Sequence, residues 1–111
     1  MNQNNYGSLI KEIRSLVSAE KVTLKKHCVL RMRQRRISVD EFKKAMSYAE
    51  IVEYYEDDHP LASALILGFT DMGRPLHAVV AMDHESELLW VITLYEPTIE
   101  RWGEQFNKRR S

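Results

Sequence analysis

Apolar side chains recur at helical spacing along the first half of the chain. Side chains three and four positions apart share one face of a helix, so each such stripe predicts one helix. The predicted helices are Ser8–Ser18, Thr23–Arg35 and a third that begins at Ser38, where Ser38-Val39-Asp40-Glu41 has the S-x-x-E form of a capping box. The stripes consist of Leu9, Ile10, Ile13, Leu16 and Val17, then Leu24, Cys28 and Met32, then Val39, Phe42, Met46 and Ala49.

After Ala49 the pattern changes to short runs of β-branched and aromatic residues separated by turn residues, which is typical of strands. The predicted strands are Ile51–Tyr55, Leu61–Phe69, Leu76–Met82 and Leu88–Tyr95. Pro97 ends the last strand, and a short final helix is predicted over Thr98–Phe106. The predicted fold class is therefore α+β, with N-terminal helices followed by a four-stranded, mainly antiparallel sheet.

The last two predicted strands suggest a polar site. A five-residue connection, Asp83–Glu87, pairs Met82 with Leu88 and His77 with Thr93 in the simplest register. One face of this hairpin is then wholly apolar, and the opposite face brings His77, Thr93 and Tyr95 together at one end. A ligand site is one interpretation of this cluster, and a solvated strand edge is the other. The apolar face consists of Leu76, Ala78, Val80 and Met82 opposite Leu94, Ile92, Trp90 and Leu88.

Length and composition narrow the class of protein. The chain has 111 residues, 44% of them hydrophobic, which suits one domain over residues 1–111 with an extra N-terminal helix in residues 1–20. Its single cysteine, Cys28, can form no internal disulfide, and no signal peptide or membrane-length apolar run is present. These features predict a cytoplasmic protein.

The net charge is +0, but the charges are segregated along the sequence. The stretch from Lys21 to Arg36 contains bases and no acids, whereas Glu50–Asp58 is acidic. A short basic tail, residues 107–111, follows at the end of the chain. One basic face is therefore expected.

The second predicted helix carries the strongest candidate chemistry. His27, Arg31 and Arg35 are spaced four residues apart and form one row beside the apolar stripe. Cleavage of RNA without a metal needs a base for the 2′-hydroxyl, an acid for the leaving oxygen and cations for the phosphate, and His and Arg supply them. The histidines lack zinc-type spacing, and Cys28 lies on the apolar stripe, so neither a metal site nor a cysteine nucleophile is favoured.

Four stretches of the sequence resemble one family of small bacterial proteins, domain of unknown function 4258. They are HCVLRMRQRRIS (His27–Ser38), EIVEYYEDD (Glu50–Asp58), LILGFTDMGRPLHAVVA (Leu65–Ala81) and ITLYEPTIERW (Ile92–Trp102). The resemblance covers nearly everything after the first helix. The chain departs from the commoner pattern in its extra N-terminal helix and in Arg36, which stands where many relatives have Gly.

The resemblance implies a fold similar to that of the RelE/MqsR-like toxins. It also implies a partner, a cognate antitoxin bearing a zinc-finger and a helix-turn-helix domain. The family's recurrent polar positions fall on the helix row and the strand cluster, namely His27, Arg31, Arg35, His77, Thr93 and Tyr95.

These observations lead to one leading hypothesis and two alternatives. The leading hypothesis is a toxin that acts as an endoribonuclease (mRNA interferase) without a cofactor, on free RNA or on mRNA at the ribosome. Its catalytic residues are His27, Arg31, His77 and Tyr95, and its RNA- or phosphate-binding residues are Arg35, Thr93, Lys26 and Arg36. The alternatives are a non-catalytic module that binds RNA or protein, and a domain whose basic row is only a solvated helix face.

Overall fold

The computed structural model of the protein describes residues 6–109 and has an α+β architecture. Its helices are α1 (Tyr6–Ser18), α2 (Lys26–Gln34), α3 (Val39–Met46) and α4 (Ile99–Trp102). Its strands are β1 (Val22–Leu24), β2 (Glu50–Tyr55), β3 (Ser63–Phe69), β4 (Pro75–Asp83) and β5 (Leu88–Tyr95). Residues 1–5, and residues 110 and 111 of the predicted basic tail, lie outside the described residues.

The five strands form one mixed sheet in the order β1-β5-β4-β3-β2. Neighbouring strands are antiparallel except at one edge, where β1 runs parallel to β5. The prediction of four strands missed β1, because Thr23 and Leu24 were assigned to the second helix, Thr23–Arg35. A three-residue edge strand is too short to show a period of its own, and it depends on pairing with a strand more than sixty residues away.

The predicted helices are largely confirmed. The capping box of α3 is present, with the Ser38 hydroxyl accepting from the Glu41 amide and the Glu41 carboxylate accepting from the Ser38 amide. Helix α2 begins at Lys26, not Thr23, and ends in a Schellman motif in which the amide of Ile37 donates to the carbonyl of Met32 (2.9 Å). Arg36 lies at the left-handed position of this motif, with φ of 59°.

The register predicted for the last hairpin was wrong. Asp83, not Met82, pairs with Leu88, and an irregularity between Val79 and Val80 then shifts the pairing so that His77 lies opposite Tyr95. The turn contains Glu87 in a left-handed conformation (φ 54°), and a bulge adds one residue to β5. As a result Leu89, Val91 and Leu94 are buried in the core cluster, and Trp90 and Ile92 line a pocket on the opposite face.

The inner face of the sheet, which packs against α1, α2 and α3, contains the main core. Ile13, Phe42, Met46, Ile66 and Val80 are among its buried side chains. No helix within residues 6–109 is both long and apolar enough to cross a membrane.

The outer face of the sheet is partly covered by the segment that follows β5. Trp102 of α4 is buried there beneath Arg109. Helix α4 is shorter than the predicted Thr98–Phe106, because Gly103 follows it with φ of 76° and turns the chain out of the helix.

Candidate functional site

Helix α2 lies along the edge of β5 that β1 leaves open. The β1 pairing stops at Leu24 opposite Val91, and α2 supplies donors to carbonyls at and beyond that point. The Cys28 thiol donates to the Val91 carbonyl (3.5 Å), and Arg31 Nη1 donates to the Leu94 carbonyl (3.2 Å). These contacts give the edge carbonyls hydrogen-bond donors, and they fix α2 against the sheet.

The predicted helix row is exposed along α2. His27, Arg31 and Arg35 all face solvent, and the Nε2 atom of His27 lies 3.7 Å from the Cys28 sulfur. Burial raises the pKa of the Cys28 thiol, so the sulfur stays protonated near neutral pH. The row therefore offers one imidazole and two guanidinium groups to a ligand in solution.

Further cations flank this row. The side chains of Lys25, Lys26, Arg33 and Arg36 are exposed, and within residues 6–109 none of them makes an ion pair or a side-chain hydrogen bond. Unpaired cations in such a cluster attract a polyanion, because binding releases condensed counterions from its phosphates. We call these four side chains and the row the α2 basic face.

One acid lies at the end of the α2 basic face. The Glu96 carboxylate accepts two hydrogen bonds from Arg74, at 3.1 Å from Nε and 3.0 Å from Nη2, and it lies 3.6 Å from Arg35 Nη1. Arg74 also donates to the carbonyl of Arg35 (3.0 Å), which ties the end of α2 to the β3–β4 turn. The hydrogen bonds from Arg74 hold the pKa of Glu96 below its usual range.

The strand cluster is assembled differently from the prediction. His77 and Tyr95 lie opposite each other on the outer face, and Thr93 pairs with Val79, two residue pairs further along the ladder. Thr93 makes no side-chain hydrogen bond with the other described residues. The structure thus brings two of the three cluster residues into contact.

His77 is fully buried and has both ring nitrogens occupied. Nε2 lies 2.7 Å from the Phe106 carbonyl and Nδ1 lies 3.0 Å from the Tyr95 hydroxyl, while the Trp102 ring packs edge-on at 4.4 Å between centroids. Because a carbonyl only accepts, the neutral ring donates from Nε2 and accepts the tyrosine proton at Nδ1. Burial lowers the pKa of His77 and raises that of Tyr95, so both groups stay neutral near pH 7.

The helix row and the strand cluster do not form one constellation. Arg31 reaches the Leu94 carbonyl at the edge of β5, whereas the next residue, Tyr95, is bonded to His77 on the outer face. Among the described residues, no hydrogen bond joins His77 to a side chain of the row. The row is open to solvent, and the cluster is closed by Trp102 and Phe106.

A second ionic cluster on the outer face was not predicted. Glu53 accepts from the Tyr55 hydroxyl and from Arg109, whose Nε and Nη2 lie 2.6 Å and 3.1 Å from its two oxygens. Arg109 also lies over the Trp102 ring, 4.6 Å from the centroid. Arg109 holds the pKa of Glu53 low, and burial together with the Glu53 carboxylate raises the pKa of Tyr55 to about 12.

One feature of the sequence is consistent with this ionic cluster. The acidic stretch Glu50–Asp58 and the basic tail have opposite charge, and Glu53 and Arg109 come from these two segments. Within residues 6–109 the structure places no three potential metal ligands of the His, Cys, Asp or Glu type together.

Comparison with known proteins gives a family and no function. No curated protein and no solved structure matches the chain significantly. The family model described as "Domain of unknown function (DUF4258)" matches residues 24–96. The match begins at the last residue of β1, ends just after β5, and includes both the α2 basic face and the pair His77 and Tyr95. The match covers well over half of the chain, and the protein therefore belongs to the DUF4258 family.

Proposed function

We propose that the chain is the toxin of a toxin–antitoxin pair and that it cuts RNA from the α2 basic face without a metal ion. The observation that carries the proposal is the placement of His27 and Arg31. Both are exposed on one helix row, and the hydrogen bond from Arg31 to the Leu94 carbonyl fixes that row on the edge of the sheet. An imidazole can transfer the protons in phosphodiester cleavage, and guanidinium groups held beside it can stabilise the charge on the phosphate.

His27 has the central role in this mechanism. The neutral ring accepts the proton of a ribose 2′-hydroxyl as the 2′-oxygen bonds to phosphorus, and the 5′-oxygen leaves and is protonated by the imidazolium or by water. Arg31 and Arg35 stabilise the charge that develops on the phosphate oxygens, and Lys26 and Arg36 bind neighbouring phosphates. The products would be a 2′,3′-cyclic phosphate and a free 5′-hydroxyl.

The predicted catalytic role of His77, in which it shares proton transfer with His27, needs revision within this proposal. A ring that is fully buried, with both nitrogens occupied, has no free position for a substrate proton. We therefore assign His77 as a positioning residue that holds Tyr95 through Nδ1. Tyr95 and Thr93 then contact the bound RNA at the end of β5.

The toxin assignment rests on resemblance. The H-x-x-x-R-M-x-x-R, G-R-P-L-H and T-x-Y-E-P motifs resemble those of proteins similar to RelE/MqsR-like toxins, and they lie at His27–Arg35, Gly73–His77 and Thr93–Pro97. The proposed partner is an antitoxin with a zinc-finger and a helix-turn-helix domain. The proposed target is mRNA in the cytoplasm, where cleavage would inhibit translation.

Cleavage of labelled RNA in EDTA tests the proposal. We expect the wild type to leave 2′,3′-cyclic or 3′-phosphate ends, and His27→Ala and Arg31→Ala to cut at least about a hundredfold more slowly. One proton-transfer group contributes about 10²–10⁴ in rate, and one donor to the developing charge contributes about 10²–10³. Lys11→Ala, which removes an exposed cation of α1 outside the α2 basic face, is the control and should retain most activity. Circular dichroism establishes that each variant folds.

A non-catalytic RNA-binding module is the second candidate, and the burial of His77 favours it, because only His27 then remains as an exposed imidazole of the predicted site. This candidate predicts salt-sensitive binding without turnover. RNA that remains intact with the purified chain, both alone and with translating ribosomes, would reject the nuclease in favour of this module. Equal cleavage by wild type and His27→Ala would reject the mechanism.

A further inference from the structure

The outer face of the sheet carries an open pocket that neither the core nor the proposed mechanism uses. The C-terminal segment covers the His77 end of this face, and the opposite end contains a cavity of about 430 Å³. Its floor is apolar and consists of Val79, Ala81, Trp90 and Ile92. Trp90 is half-buried, so one part of a large aromatic side chain remains accessible to a ligand.

Charged groups surround this apolar floor. Asp58, from the β2–β3 loop, and Asp83, at the end of β4, both line the pocket. The Ser63 hydroxyl donates to one oxygen of Asp58 (2.5 Å), and the Ser86 amide donates to one oxygen of Asp83 (3.3 Å). The second oxygen of Asp58 makes no hydrogen bond with the described residues, whereas Ser86 and the Glu85 backbone together hold the Asp83 carboxylate and keep its pKa low. Fixed carboxylates of this kind accept hydrogen bonds from N–H groups of a ligand.

The pocket also adjoins the α2 basic face. Lys25 lines the pocket and is the residue before Lys26, the first residue of α2. A ligand seated on Trp90 could therefore extend a negative group toward Lys25 and Lys26. The two carboxylates disfavour phosphate inside the pocket itself, so they separate a neutral, N–H-bearing part of the ligand from its anionic part.

A nucleotide has this division of properties. Its base is planar and stacks on an aromatic ring, and single-stranded nucleic acids are commonly bound by such stacking next to a basic groove. Guanine offers adjacent N–H donors on its Watson–Crick edge, whereas uracil has carbonyl acceptors on both sides of its single ring N–H. We propose that this pocket binds a base of single-stranded RNA, guanine in preference to uracil, stacked on Trp90 with its phosphate on Lys25.

This inference deepens the proposed function and rests on it for the identity of the ligand as RNA. It assigns base recognition to the outer-face pocket and phosphate contacts to the α2 basic face. The RNA strand would then pass from Trp90, across Lys25 and Lys26, toward His27.

Nuclear magnetic resonance on the full chain tests the pocket. The ¹⁵N-labelled protein is titrated in EDTA with guanosine 5′-monophosphate and, separately, with uridine 5′-monophosphate. We expect the indole N–H signal of Trp90 to shift while that of the buried Trp102 does not, and guanosine monophosphate to bind about tenfold more tightly. Asp58→Asn keeps an acceptor for the Ser63 hydroxyl and should reduce that preference.

Substitution of the tryptophan gives the second measurement. Trp90→Ala should weaken nucleotide binding about fivefold or more, and Trp90→Phe should weaken it less. Tyr48→Ala is the control: it removes an aromatic side chain that is 81% exposed elsewhere on the surface, and it should leave binding unchanged. If Trp90→Ala does not fold, Trp90→Phe and Asp58→Asn carry the test. Equal affinities for the two nucleotides, unchanged in Asp58→Asn, would overturn the proposal.

The outcomes separate the pocket from the proposed function. RNA cleavage by the wild type with no nucleotide-induced shift at Trp90 would overturn the pocket and leave the nuclease standing. A selective shift at Trp90, with RNA left intact both alone and with translating ribosomes, would support the pocket and reject the nuclease. A shift caused by N-acetyl-leucinamide and not by either nucleotide would identify a peptide-binding pocket and overturn the proposal.

Discussion

His77 and Tyr95 face each other across β4 and β5, with the Nδ1 atom 3.0 Å from the tyrosine hydroxyl. The pair is closed on the outer face by Trp102, and the second ring nitrogen lies 2.7 Å from the Phe106 carbonyl. This geometry uses the neutral imidazole as both donor and acceptor. A proton added to Nδ1 would face a hydroxyl that already points its own proton toward the ring.

The stability of the protein should therefore decrease in mild acid. Burial places the pKa of His77 below its ordinary value near 6.5, so the unfolded chain binds this proton more readily than the folded one. The contribution of His77 to the free energy of unfolding is thus fully present above about pH 6.5 and is lost as the pH falls toward the folded-state pKa. Urea unfolding at pH 7.5 and pH 5.5 measures the loss.

His77→Gln is the matched variant, because an amide can still donate to the Phe106 carbonyl but does not titrate. Its free energy of unfolding should change less than that of wild type between the two pH values. An equal change in both proteins would show that another group causes the pH dependence.

A close approach between Gly68 and α3 gives a prediction about packing. An ideal Cβ at Gly68 would lie 2.5 Å from the carbonyl oxygen and 2.9 Å from the carbonyl carbon of Ala45, both backbone atoms. Gly68→Ala should therefore lower the free energy of unfolding by about 1–3 kcal/mol. Gly7→Ala is the control, since nothing lies within 4 Å of that Cβ and alanine favours the helix. Equal stability of the two variants would contradict the packing of α3 on β3.

The sequence predicted the helices better than the sheet, for physical reasons. A helix is recognised from contacts between residues three or four positions apart, and the Ser38–Glu41 capping box is local as well. Strand β1 depends on pairing with β5, and the register of β4 and β5 depends on one extra residue in a bulge. Neither feature has a local pattern, so the face occupied by Trp90 and Leu89 was predicted incorrectly.

The candidate site was predicted only in part. The row formed by His27, Arg31 and Arg35 follows from helical spacing and is exposed as expected. The burial of His77 depends on Trp102 and Phe106, which return to the sheet from beyond the last strand. The hairpin pattern contains no information about that cover, so the sequence predicted an open polar cluster, either a ligand site or a solvated strand edge, where the structure has a closed one.

The Arg109–Glu53 ion pair is predicted to hold the C-terminal segment on the sheet. Arg109→Ala should lower the free energy of unfolding by less than about 1 kcal/mol, because the arginine side chain is 56% exposed and water screens the pair. The larger effect should be local, with faster hydrogen exchange at the amides of Trp102 and Gly103, whose partners lie within the same segment. Lys108→Ala, which removes an exposed neighbouring cation, is the control and should leave hydrogen exchange at these amides unchanged. Unchanged exchange in Arg109→Ala as well would show that the ion pair does not hold the segment.

Glu96 is predicted to weaken RNA binding in the wild type, because it places a carboxylate against Arg35 and Arg74. Glu96→Gln should raise the affinity for single-stranded RNA a few-fold at low salt and make the dependence on salt concentration steeper. Fluorescence anisotropy at several salt concentrations measures both quantities. Glu85→Gln removes the same charge from the opposite end of β5 and should have the smaller effect. Equal effects would indicate a response to net charge and not to the α2 basic face.

Arg36 is predicted to lower stability while contributing to RNA binding. It occupies the left-handed position of the Schellman motif that ends α2, with φ of 59°, a conformation that costs a side-chain-bearing residue roughly 1 kcal/mol and that glycine adopts freely. Arg36→Gly should therefore raise the free energy of unfolding by up to about 1 kcal/mol and weaken RNA binding at low salt.

Arg36→Asn separates the two effects, because asparagine tolerates the left-handed conformation better than arginine and carries no charge. It should bind RNA as weakly as Arg36→Gly while gaining less stability. A variant that gains stability and keeps full RNA affinity would show that Arg36 does not contribute to RNA binding by the α2 basic face. Unchanged stability in both variants would mean that this end of α2 relieves the backbone cost in another way, and the affinity measurement would then stand alone as the test of the charge.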